Sequence, residues 1–141
     1  MNKEEAIQFI LAEAPKAWEN YSKTFNLSKI KMPEIRIINK PKSIAGFAFR
    51  SNKVEFNLPY CILAKEAYRE IIYHELAHII QFSLFPAAKQ AHGPEFRYIL
   101  QSQGFAGKTY HYYSVEEAKS ISKKTDLLLL DTLTEEELED F

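Results

Sequence analysis

The chain predicts an α+β domain in which a small antiparallel sheet packs on one buried helix, with further helices flanking it. Three observations lead there. Residues 3–25 place Ile7, Ile10, Leu11, Ala14, Trp18, Tyr21 and Phe25 at steps of three and four, the spacing of an amphipathic helix. Segments 45–50 and 53–58 alternate in polarity as half-buried strands do, and between 71 and 85 a helical stretch turns apolar on nearly every side. With 141 residues and 46% apolar content, the chain has material for one domain around one core.

Each element has its own signal. Pro15 either kinks the first helix or starts a second one there. A strand is expected over 34–38, after Pro33. The hairpin turns at Ser51-Asn52, and Val54, Phe56 and Leu58 alternate with Lys53, Glu55 and Asn57, so one face should be buried. From Pro59 or Cys61 the pattern is helical to about Phe82, and Pro86 closes that region. A loop over 87–93 leads into a short helix over 94–103, with Pro94 suited to its first turn. Beyond Gly104 and Gly107 lie the aromatic cluster Tyr110-His111-Tyr112-Tyr113, a helix-like stretch over 114–124, and an acidic tail. The domain is therefore expected over 1–124, and the 125–141 tail is expected to be partly disordered.

Composition excludes several classes. Cys61 is the only cysteine, so neither an internal disulfide nor a cysteine-based zinc knuckle can form within the chain. The first residues lack an apolar signal core, and the longest aliphatic run, 127–130, is far short of a membrane span; a cytoplasmic protein is expected. All 18 Lys and Arg and 12 of the 19 acids fall within 1–124, which leaves that segment at +6 and the tail at −7. A basic body is compatible with contact to DNA, and charge alone does not establish it. The segment 135–141, acidic and ending in Phe141, is similar to the tips of single-stranded-DNA-binding proteins and is read either as solvated chain or as a docking element.

The chemistry concentrates in His74-Glu75-Leu76-Ala77-His78. Two imidazoles four residues apart on a helix face the same way and can share a metal ion, and the carboxylate between them suits a general base for hydrolysis. Burying these groups in an apolar helix without partners would cost several kcal/mol, and a bound cation relieves that cost. A catalytic zinc takes three protein ligands and keeps one position open. A metzincin would supply the third from a Gly at position 81 and a His at position 84, but this chain has Gln81 and Leu84. Glu95, as in gluzincins, and His92, within His92-Gly93-Pro94-Glu95-Phe96, remain.

With both motifs in view the chain resembles the SprT-like zinc metallopeptidases, the family of the Spartan-related DNA-protein crosslink proteases. The likeness spans about residues 5–105 and includes the hairpin and Asn57-Leu58-Pro59. It implies a minimal zincin-like domain, Zn2+ held by His74, His78 and His92, and Glu75 as the catalytic base. It also implies protein substrates, including proteins bound to DNA. The four-cysteine ribbon that many members carry has no counterpart here, since the region from Tyr110 onward has no Cys. Two rivals stand beside this reading. One is a gluzincin-type regulatory peptidase using Glu95; the other is a non-catalytic, zinc-stabilised module that binds nucleic acid or protein. Tyr110, Tyr112 and Tyr113 are chemically able to stabilise an oxyanion, but that role is left unassigned. Substrate backbone is expected to pair with an exposed edge of the hairpin at 53–58.

Overall fold

The computed structural model describes residues 1–40 and 44–105. The expectations for the 110–113 aromatics, the 114–124 stretch and the acidic tail lie outside the described residues.

Helix α1 (Lys3–Thr24) starts from a reciprocal cap: Asn2 Oδ1 accepts from the Glu5 backbone N at 2.8 Å, and Glu5 Oε1 accepts from the Asn2 N at 3.2 Å. Pro15 neither ends it nor starts a second helix. Its ring sits on the exposed face, where the carbonyl it leaves without a donor can face water. The opposite face, Ala6, Ile7, Ile10, Ala14, Ala17 and Tyr21, enters the core.

The sheet is mixed rather than antiparallel. β2 (Gly46–Phe49) and β3 (Lys53–Asn57) form the expected antiparallel hairpin, while β1 (Glu34–Ile38) pairs parallel to β3, giving the order β1-β3-β2. The parallel pairing is possible because Asn57 holds the loop that returns the chain to β2. Its side chain donates to the carbonyls of Lys40 (2.8 Å) and Ile44 (2.9 Å) and accepts from the Lys40 N at 3.0 Å. Ile35 and Ile37 then lie beside Val54 and Phe56 on the face that meets the helices.

This topology moves the open edge. β3 is the central strand, so 53–58 cannot accept a further strand, and Phe56 and Asn57 are fully buried. Among the described residues the outer edge of β2 pairs with nothing. Ala45 O accepts from the Asn57 N at 3.0 Å, which makes these two a hydrogen-bonded pair. By the alternation of an antiparallel ladder, Gly46 and Ala48 then turn their N–H and C=O groups outward. The hairpin loop is one residue longer than expected, Arg50 to Asn52, and closes with Asn52 at φ +63°.

The helix expected to run unbroken to Phe82 comes in two pieces. α2 (Leu58–Ala64) ends at a one-turn 3-10 segment, Lys65–Ala67, with Lys65 at φ +55°, before α3 (Tyr68–Leu84) begins in a new direction. α2 packs on α1, where the Cys61 thiol lies 3.8 Å from the Ala6 carbonyl; burial pushes that thiol up to about 12, so it is inert. α3 runs beneath the sheet, between α1 and α4 (Pro94–Gln101). Tyr21 Oη donates to the Tyr73 carbonyl at 3.0 Å and Asn20 donates to the Tyr73 hydroxyl at 2.8 Å, which fixes α1 against the turn of α3 that precedes His74. No helix among the described residues is long and apolar enough to cross a membrane.

Candidate metal centre

The sequence of α3 leaves little choice about where its polar groups go. Positions 71–81 are all buried, so His74, Glu75 and His78 sit in a wall of Ile, Leu and Ala and open only towards the cleft under β2. His92 approaches from the loop before α4. Its Nε2 lies 3.1 Å from Nε2 of His78 and 3.3 Å from Nε2 of His74.

These separations are informative. Tetrahedral ligands at ~2.0–2.1 Å from zinc are about 3.3 Å from one another, so the three nitrogens already stand near the spacing of one coordination sphere. They are the only group of three or more metal-ligating side chains among the described residues, with all ligand atoms within 4.8 Å. Glu95 is not in the group; it lies in the first turn of α4, where an acid suits the helix N-terminus.

The electrostatics fit the same role. Burial, then the neighbouring His92, lowers His78 to about 4, while the Gln81 side chain acts the other way; burial lowers His92 as well. Both rings are therefore neutral at pH 7, the form that ligates. Burial pushes the Glu75 carboxyl up to about 8, and a cation at the cluster would pull it down again. Its Oε1 lies 3.9 Å from Nε2 of His74, too far for a hydrogen bond but within one water of the cluster.

Phe96 explains the aromatic position of His92-Gly93-Pro94-Glu95-Phe96. The ring is fully buried and touches all three imidazoles, stacked on His78 at 4.4 Å and edge-on to His74 and His92 at 4.8 and 5.0 Å. It fixes ring planes that a loop histidine alone would not hold. Over the cluster lies a cleft of about 560 Å³ with Phe47, Phe49 and Phe82 in its walls and Arg50 at one end, its guanidinium 4.5 Å above the Phe82 ring.

Two residues with no assigned role in the sequence reading matter here. A Cβ on Gly46 would stand 2.9 Å from Cγ of Glu75, so β2 can cross α3 this closely only with glycine. An isolated glycine within a strand pattern is a signal of close backbone approach. Gln81 is the second, a buried amide in an otherwise apolar stretch.

Three converging imidazoles and a buried carboxylate lie beneath a sheet edge that pairs with nothing among the described residues, an arrangement compatible with a bound metal ion. The chain belongs to the SprT-like family, whose model matches residues 14–117. No curated protein and no solved structure matches it.

Proposed function

We propose that the protein is a zinc-dependent endopeptidase whose ligands are His74, His78 and His92. The observation that carries this reading is the convergence of three imidazoles beside the buried carboxylate of Glu75, in a cleft bounded by a strand whose outer edge pairs with nothing among the described residues. Zinc bound there supplies Lewis acidity, polarising a scissile carbonyl and acidifying water. Glu75 accepts the proton of the attacking water and passes it to the departing amine as the carbon–nitrogen bond breaks. The outward N–H and C=O groups of Gly46 and Ala48 align the peptide as an added strand, which selects extended backbone over a particular sequence.

Proteins bound to DNA are the proposed substrates. Support comes from the basic character of 1–124 and from Lys29, Lys31 and Arg50, which line a second cavity of about 260 Å³ beside the cleft. Cleavage of a basic DNA-binding protein, with and without single-stranded DNA, tests the reading in wild type and Glu75→Gln at equal zinc content. DNA-stimulated cleavage lost in the variant is expected. DNA-independent cleavage would point to a regulatory peptidase, and no cleavage under any condition to a binding module.

A further inference from the structure

Gln81 is only 3% exposed, in a helix whose other buried polar side chains, tyrosines apart, all belong to the candidate site. It follows His78 by three residues and so shares its helix face. Its Nε2 donates to the Gln90 carbonyl at 3.0 Å, and that same carbonyl accepts from the Gly93 N at 3.3 Å. Gln90 and Gly93 bracket His92, so this one side chain ties α3 to the segment that delivers the loop histidine.

The other end of the amide faces His78 without a well-formed hydrogen bond. Oε1 is buried and has no partner in good hydrogen-bond geometry, yet the Gln81 side chain acts on His78 as a hydrogen-bonding neighbour that favours its protonated ring. Native cores rarely leave such an atom unpaired without a use for it. His78 turns Nε2 towards the cluster, as its approach to His92 shows. Once Nε2 gives its lone pair to a metal, the ring proton must reside on Nδ1, and that N–H needs an acceptor.

We infer that Gln81 is a positioning residue of the metal centre: its amide oxygen receives the Nδ1–H of His78 in the metal-bound state while its amide nitrogen holds the His92 loop. The inference rests on the reading of His74, His78 and His92 as zinc ligands. One side chain thus sets the tautomer of one ligand and the position of another. An apolar residue of the same size would pack equally well and do neither.

The test is zinc affinity, measured by competition with a chromophoric chelator, in wild type, Gln81→Leu, Gln81→Glu and His92→Ala, with thermal unfolding of each zinc-free chain. Gln81→Leu should lower affinity about 10–100-fold, while its zinc-free midpoint changes little, the lost bond to the Gln90 carbonyl being offset by removal of a poorly satisfied buried amide oxygen. Gln81→Glu keeps an acceptor for His78 and should fall between wild type and Gln81→Leu. Wild-type affinity in Gln81→Leu alongside a large loss in His92→Ala would overturn the inference and leave the histidine site standing. A zinc-free destabilisation of Gln81→Leu matching its loss of affinity would also overturn it, by making the role structural. Unchanged affinity in His92→Ala would remove the parent reading instead.

Discussion

Replacing Gly46 by alanine adds one methyl group at the point where β2 crosses α3. That carbon would stand 2.9 Å from Cγ of Glu75 and 3.3 Å from both the Glu55 carbonyl oxygen and Cγ2 of Ile71. Carbon atoms in ordinary contact lie ~3.5–4.0 Å apart, so the overlap with Glu75 is roughly 0.6–1 Å. The Glu55 carbonyl belongs to the central strand and cannot yield, and Glu75 has room only towards the cleft. Either the carboxylate shifts or β2 lifts. Overpacking of this kind costs about 1–3 kcal/mol of stability, and a catalytic group displaced by about 1 Å loses about 10²-fold in rate. The assay is kcat and KM for peptide cleavage at equal zinc occupancy, with thermal unfolding alongside. Gly46→Ala should bind zinc as wild type does and lose about 10²-fold, mainly in kcat. A rate within threefold of wild type, with unchanged unfolding, would refute the claim that this glycine positions the base.

Two further outcomes follow from the same geometry. In zinc-free protein the Glu75 carboxyl is held near 8 against its ordinary 4.5, so its contribution to stability is complete below 4.5 and lost as pH rises through 8. Zinc-free Glu75→Gln should therefore be more stable than wild type in urea at pH 8, by at most a few kcal/mol, with the gap closing at pH 5; a gap independent of pH would contradict the burial argument. Ala48→Pro removes an outward N–H without breaking a ladder bond to β3 and should lower kcat/KM about 2–10-fold through KM; unchanged kinetics would exclude strand addition at this edge.

What the sequence disclosed was what periodicity and fixed spacing encode. The apolar surround of α3, the hairpin and the two histidine motifs are local patterns, and the fold carries them nearly as read. The break at Lys65 was illegible because Ala64-Lys65-Glu66-Ala67 are all good helix formers, and tertiary packing of α2 on α1 overrides their propensity. The parallel partner of β3 was hidden for a similar reason, since it depends on Asn57 holding a distant loop by side-chain hydrogen bonds. That error carried with it the edge proposed for strand addition, from β3 to β2. Gly46 was legible in principle, as a lone glycine in a strand. Gln81 was not, because only its neighbours give the amide a role.

The histidine cluster is tested most directly by zinc K-edge X-ray absorption on wild type and His92→Ala at equal protein concentration. One zinc per chain with three imidazole nitrogens at ~2.0–2.1 Å, reduced to two by the substitution, is the expected result. A wild-type spectrum with fewer than three imidazoles, or one that His92→Ala leaves unaltered, would contradict the account.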